Sequence, residues 1–306
     1  MPTFAKRVMR LTFSVAGSVA PRGTARLAFR VFSLAPPRFP RGERARKVFA
    51  EGAKRLSRAD AVPFKTPHGR MMAYRLRAGG DVPPSGRRFL VLHGWGSRSE
   101  YMAALAEGIA DATGGEVVLL DFPGHGASSG RFLDMRLAVE TIAEAERRFG
   151  PFDGAAGHSF GGASLIVAAS GLLPGIAPFR PGRLALIGAP AEMGEIFVTF
   201  GRQMGLSAAA QVQLENEVRR VTGRKAGDFD IATASRDLGV PVLIMHAEDD
   251  KEVSADHARR YAAQGSHVRL DWANGFGHRR IVAAPPVIEA VSAFMREEGE
   301  GKGAAA

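Results

Sequence analysis

The sequence predicts an α/β fold, a mostly parallel central sheet with helices on both faces and a small helical cap inserted after the sixth strand. Three observations carry this expectation. From residue 88 to residue 297, short apolar runs alternate with helical stretches, as parallel strands joined by crossover helices require. The run Arg88-Phe89-Leu90-Val91-Leu92-His93 is too apolar on both faces for an exposed strand and suits the interior of a parallel sheet. Finally, the interval 191–236 is far longer than the other connections and has helical periodicity of its own.

Composition sets the outer bounds. With 306 residues and 45% hydrophobic content, the chain can bury a large core. It has no cysteine, which excludes disulfides, thiolate metal sites and a cysteine nucleophile. The net charge of +10 is not spread evenly: residues 1–58 hold 14 Lys or Arg against only Glu43 and Glu51, so the other 248 residues sum to −2. The base therefore belongs to the N-terminal segment and not to the body.

In that segment Phe4, Val8, Leu11, Val15 and Val19 recur at intervals of three and four, with Lys6, Arg7 and Arg10 between them, the pattern of an amphipathic helix. Pro21 interrupts it. A second helical stretch sets Leu27, Val31 and Leu34 on one line and Arg22, Arg26 and Arg30 on another, and Pro36, Pro37 and Pro40 end it. Residues 44–58 read as a basic helix leading into the body. Two roles fit these helices: packing the apolar stripe onto the body, or docking on an anionic membrane or a partner. A secretory signal competes, but Ser, Thr and Gly dilute its apolar stretch and Pro21 would follow the cut. No stretch approaches the roughly 20 apolar residues of a membrane span, and no nucleic-acid-reading motif accompanies the charge. The expectation is a cytoplasmic protein with peripheral membrane contact through residues 1–58 as one of its two N-terminal roles.

The body, 59–298, then follows in order. Strands at 61–66 and 70–77 are joined by a turn at His68-Gly69, and a Gly/Pro loop spans 79–86. After the strand at 88–93 come a helix near 100–112, a strand at 117–120, a helix at 133–148, a strand at 154–158, a helix at 160–170 and a strand at 184–188. The interval 191–236 places Met193, Ile196, Phe197, Phe200 and Met204 at helical spacing, expected to form a cap over the strand ends. Beyond it lie strands at 240–245 and 267–272 and helices at 254–264 and 283–297. The Gly, Ala and charge of 299–306 predict a disordered tail.

Chemistry concentrates at Gly157-His158-Ser159-Phe160-Gly161, a G-x-S-x-G pentapeptide between an apolar run and a helix. A serine there sits on a sharp strand-to-helix turn with its hydroxyl exposed. It is inert at its free pKa and demands a base, with a carboxylate to orient that base. Both belong at the carboxyl ends of later strands, where ligands of such sheets bind. His278 ends the loop Asn274-Gly275-Phe276-Gly277, and Asp250 lies in the acidic run after His246, with Asp249 as the competing acid. Oxyanion donors are expected at the amide of Phe160 and, in the unhindered His93-Gly94-Trp95-Gly96 loop, at the amide of Trp95. His93, His125, His158 and His246 read as loop histidines, and Asp121 as a residue tying its own turn. The scattered histidines do not supply a zinc site, and Gly124-His125-Gly126 lacks the Lys-Ser/Thr pair of a phosphate loop.

From about residue 61 to residue 295 the chain resembles the α/β-hydrolase superfamily, specifically its small bacterial serine hydrolases of esterase or lysophospholipase type. Five blocks carry the resemblance in order: His93-Gly94-Trp95-Gly96, the block from Asp121 through Pro123-Gly124-His125-Gly126 to Ser128, the pentapeptide at Ser159, the acid loop at Asp250 and the Gly-x-Gly-His loop at His278. Ala247 and Ser254 depart from the family's more usual Gly and Pro. The resemblance implies the α/β-hydrolase fold with Ser159 as nucleophile, His278 as base, Asp250 as orienting acid, Trp95 and Phe160 as oxyanion donors, and neither metal nor cofactor. It implies hydrolysis of a carboxylic ester or related acyl compound through an acyl-enzyme. Thioesterase, acyltransferase and cofactor-free haloperoxidase-like chemistry are alternatives on the same residues. Epoxide hydrolases and dehalogenases of this superfamily use an aspartate where this chain has Ser159. The Met and Phe residues of the cap point to an apolar acyl pocket.

Overall fold

The computed structural model describes residues 3–40 and 42–297, with the side chains of residues 3–6 and 44 left outside that description. The tail expected at 299–306 and the side chains of Phe4 and Lys6 therefore lie outside the described residues. The strands are β1 Asp60–Thr66, β2 Gly69–Leu76, β3 Arg88–Leu92, β4 Glu116–Asp121, β5 Gly154–His158, β6 Leu184–Ile187, β7 Val242–His246 and β8 Val268–Trp272. They form one sheet in the order β1-β2-β4-β3-β5-β6-β7-β8. β1 and β2 pair antiparallel with each other and β2 pairs antiparallel with β4, while the strands from β4 to β8 run parallel.

Residue alternation along the inner strands divides the interior into two cores. Leu90, Leu92, Val118, Leu120, Leu184, Leu186, Val242 and Ile244 face one side. Phe89, Val91, Val117, Leu119, Ala185, Ile187, Leu243 and Met245 face the other. Successive side chains of a strand point to opposite faces, so a run that is apolar throughout must be covered twice. α4 Ser99–Thr113 and α12 Pro285–Arg296 cover the second face; α5 Met135–Phe149, α6 Phe160–Ala169 and α10 Ala255–Ala262 cover the first. α5 begins two residues later than its periodicity predicts, because the Asp134 side chain caps it by accepting from the Leu137 amide at 3.0 Å.

Between β6 and β7 the chain forms α7 Gly194–Met204, α8 Ala208–Thr222 and the one-turn α9 Ile231–Ala234. The N-terminal helices are α1 Thr3–Val19, α2 Pro21–Ser33 and α3 Glu43–Leu56. Pro21 ends the first helix and opens the second, since its fixed φ and missing N–H suit the first helical position. α3 packs on α4, while α1 and α2 pack on α7 and α8, where Arg26 pairs with Glu217 at 2.9 Å.

Here the structure corrects one expectation. Were the helices to pack their apolar stripe onto the body, Val8, Leu11, Val15 and Val19 would be covered, yet they are 48 to 83% exposed. α1 packs instead through Phe13 and Gly17; a Cβ on Gly17 would lie 3.0 Å from Ser207 Oγ and 3.1 Å from Ala210 Cβ. α2 likewise packs through Ala25, Ala28 and Phe29 and leaves Leu27, Val31 and Leu34 outward. Small residues allow the close approach, so the weaker apolar face is the one buried. Among the described residues no helix is long and apolar enough to cross a membrane.

Candidate active site

The turn at Ser159 follows from local sterics. Ser159 has φ 52° and ψ −120° and is the one non-glycine residue with positive φ among the described residues, a conformation that costs on the order of 1–3 kcal/mol. Its neighbours must be glycine because the backbone crowds there. A Cβ on Gly157 would lie 2.5 Å from the Gly162 nitrogen, and one on Gly161 would lie 2.6 Å from the His93 carbonyl oxygen. The turn is held on both sides, since the Ser159 amide donates to the Ile187 carbonyl at 2.8 Å and the Ser159 carbonyl accepts from the Ala163 amide at 3.1 Å. Side-chain Oγ is left free to point beyond the strand ends.

Three of the sequence-expected residues meet there. Ser159 Oγ lies 3.0 Å from His278 Nε2, and His278 Nδ1 lies 2.7 Å from Asp250 Oδ2. The other oxygen, Asp250 Oδ1, accepts from the amides of Glu252 at 2.8 Å and Val253 at 2.9 Å. Burial works to raise the Asp250 pKa, but the His278 bond and these amides outweigh it and hold the carboxylate below its ordinary range. Asp249 does not reach His278; its Oδ1 accepts from the Gly275 amide at 2.8 Å and so braces the loop that carries the histidine. His278 itself lies in a one-turn helix, α11 Gly277–Arg280, and not in the loop expected from its glycines.

The four other histidines at the strand ends, His93, His125, His158 and His246, are occupied by backbone. His93 Nδ1 donates to the Gly94 carbonyl and its Nε2 accepts from the Phe122 amide at 3.1 Å. His125 Nδ1 donates to the Pro123 carbonyl and its Nε2 accepts from the Gly96 amide at 3.0 Å. His158 Nε2 donates to the His278 carbonyl at 2.9 Å and His246 Nε2 to the Val253 carbonyl at 3.0 Å. Burial lowers the pKa of all four, and with His278 beside it His158 is pushed down to about 4. They are neutral loop fasteners. Asp121 ties more than its own turn: it accepts from the Ala127 amide and also from the Ser99 amide and hydroxyl at the start of α4.

The β3–α4 loop lies directly against the serine, since a Cβ on Gly94 would fall 3.0 Å from Ser159 Cβ. The next residue, Trp95, has its ring 5.8 Å from that of Phe160. The Phe160 amide, as the first of α6, has no intrahelical acceptor.

Ser159 opens into a cavity of about 430 Å³, lined by Trp95, Met193, Phe197 and Phe200 as the cap composition leads one to expect. Phe29, Val31, Phe32 and Leu34 of the N-terminal segment also line it, a contribution that no local pattern announces. Gly188 is the other residue missed. It has φ 58°, and a Cβ there would lie 3.3 Å from His278 Nδ1 and 3.6 Å from Asp250 Oδ2. Its one signal in the sequence is its place at the end of the strand beside Ser159. A larger groove of about 500 Å³ between α2 and α8 is lined by Arg26, Arg30, Glu217 and Arg220 and does not reach Ser159. No group of three or more potential metal ligands occurs among the described residues.

Comparison with known proteins bears on the family and the fold. A family model described as "Alpha/beta hydrolase family" matches residues 89–289. Among solved structures, a membrane phospholipase A is similar at 17% identity and TM-score 0.58, over 82% of this chain and 91% of that one. The esterase Est1E of Butyrivibrio proteoclasticus, solved with ferulic acid bound, matches at 22% identity and TM-score 0.55 over 77% and 96%. The thioesterase domain of the curacin biosynthetic pathway matches at 16% identity and TM-score 0.52 over 78% and 98%. No curated protein matches the chain.

Proposed function

We propose that this chain, which belongs to the alpha/beta hydrolase family, is a serine hydrolase that cleaves carboxylic esters through an acyl-enzyme. The observation that carries the proposal is the continuous hydrogen-bonded line from Ser159 Oγ through the His278 ring to Asp250. In this reading Ser159 Oγ attacks the ester carbonyl as His278 Nε2 takes its proton. Asp250 keeps Nδ1 protonated and turned away, so that Nε2 is the basic nitrogen, and stabilises the imidazolium that forms. The amides of Phe160 and Trp95 receive the oxyanion, and each such donor lowers the barrier by about 2.7–4 kcal/mol. His278 then protonates the leaving alcohol. Water repeats the sequence on the acyl-enzyme and frees the acid.

The cavity supports a reading of the acyl side of the substrate. Its walls are Phe, Met, Trp and aliphatic side chains, with Asp134 the one charged residue among those lining it. Such a pocket favours an aliphatic or aromatic acyl group over a polar one. A thioester presents the same acyl face, and the likeness to a thioesterase domain places it in the same test.

That test is a panel of esters and thioesters of graded acyl length, run on wild type and Ser159→Ala together, with fluorophosphonate labelling of the folded protein. Turnover that disappears in Ser159→Ala, with labelling confined to Ser159, is expected. Full turnover in that variant would remove the mechanism.

A further inference from the structure

We infer that the outward face of α1 and α2 docks on a bilayer surface containing anionic phospholipid, and that acyl substrate reaches the Ser159 cavity from that surface. The second half rests on the reading of Ser159 as a nucleophile; the first does not.

The face is apolar and uncovered. Val8, Leu11, Val15 and Val19 occupy one side of α1, and Leu27, Val31 and Leu34 project from α2 at 38 to 54% exposure. The inward sides of both helices pack against α7 and α8, which leaves Val8, Leu11, Val15 and Val19 facing outward, while Leu27, Val31 and Leu34 stay partly exposed where α2 borders the α2–α8 groove and the Ser159 cavity. A contiguous run of this kind marks a contact with another apolar phase.

Charge selects which phase. Residues 1–42 contain eight Lys or Arg and no Asp or Glu. Arg7, Arg10, Arg22 and Arg30 are exposed, and among the described residues no carboxylate pairs with them. The exposed surface of α1 and α2 thus combines aliphatic side chains with guanidinium groups beside them that no carboxylate pairs with among the described residues, which is the composition of a helix lying in the interface of an anionic membrane. A second copy of the chain would bring like charge against like. A protein partner is served by aromatic anchors more than by Val and Leu, which are under-represented among residues that dominate such contacts; the seven exposed residues from Val8 to Leu34 named above are all Val or Leu.

The position of the cavity gives the docking a use. Val31 and Leu34 belong both to this face and to the lining of the Ser159 cavity, together with the exposed Trp95 and Ile196. An amphiphilic ester could pass from the lipid layer into the cavity along apolar surface, with its acyl chain never fully in water. The substrate class that fits is an ester of a long acyl chain held in a membrane.

Vesicle co-sedimentation tests the docking on full-length Ser159→Ala, with phosphatidylcholine alone or mixed with phosphatidylglycerol, at about 50 mM and about 500 mM salt. Binding to the mixed vesicles at low salt is expected, at least about tenfold weaker on neutral vesicles or at high salt. Adding Leu11→Asp with Val15→Asp should weaken it by a similar factor. Arg7→Glu with Arg10→Glu is the independent check should the aspartate pair alter the thermal midpoint. In the Ser159 background, the aspartate pair should keep wild-type turnover of a water-soluble short-chain ester and lose turnover of a long-chain ester dispersed in vesicles.

Absence of binding to anionic vesicles at low salt overturns the proposal, as does equal binding by both variant pairs. A dimer in sedimentation velocity that the aspartate pair dissolves would assign the face to a second copy instead. Vesicle binding without turnover of any ester removes the hydrolase reading and the delivery of substrate, and leaves the docking standing.

Discussion

The ring of Phe32 in α2 lies 4.7 Å from the ring of Phe197 in α7, centroid to centroid. Phe32 also lies 5.2 Å from Phe200 and 6.3 Å from Trp95. One side chain near the start of the chain therefore joins the cap to the loop beside Ser159. Of the separate parts of the chain that wall the cavity, three meet at Phe32: α2, α7 and the β3–α4 loop.

Phe32→Ala should accordingly act on substrate choice. Removal of a ring from an apolar pocket is expected to lower kcat/KM for long-chain esters by about tenfold or more. Turnover of an acetate ester should change little. A uniform loss across the acyl series would show that Phe32 supports the fold and not the pocket.

The two neighbouring aspartates should separate by kinetics. Asp250→Asn leaves His278 in place but permits the wrong tautomer, and kcat is expected to fall by roughly 10⁴. Asp249→Asn keeps an oxygen that can accept from the Gly275 amide, so its kcat should stay within about tenfold of wild type. The reverse order would exchange the two roles.

Gly188→Ala probes the support of the histidine. The alanine would be held at φ 58° with its Cβ 3.3 Å from His278 Nδ1, at a cost of about 1–2 kcal/mol for the left-handed backbone. The expected result is a lower thermal midpoint and a fall in kcat with KM nearly unchanged. An unaltered kcat would mean that His278 has room to shift without loss.

Acid should destabilise the fold well above the carboxylate range. The pKa of His158 is about 4 in the folded protein, against roughly 6.5 in an unfolded chain. Between those values the unfolded state holds more protons, so stability is full above about pH 6.5 and falls as pH drops towards 4. His158 alone accounts for about 2 kcal/mol at pH 5, and the lowered pKa values of His93, His125 and His246 act in the same sense. Urea unfolding at pH 7.5 and pH 5 measures it; equal stabilities would contradict the neutral, buried state of these rings.

Most of the sheet is legible along the chain because its strands are short apolar runs between helical stretches, and period and length are local properties. The turn at Ser159 is legible for the same reason. Its glycines answer to atoms a few residues away, such as the Gly162 nitrogen near Gly157. Helix ends are less so: Asp134 moves the start of α5 by a capping bond that periodicity does not register.

What sequence order alone cannot supply is distance. Ser159, Asp250 and His278 follow one another after β5, β7 and β8, but their approach to 3.0 and 2.7 Å depends on the parallel alignment of β5, β6, β7 and β8. Gly188 shows why: its constraint is set by a histidine 90 positions later in the chain. The N-terminal helices show it from the other side. An apolar stripe fixes that a helix has an apolar face, whereas burial is settled by which surface another element can approach most closely. In α1 that surface runs through Gly17 and Phe13, and Leu11 and Val15 are left facing outward.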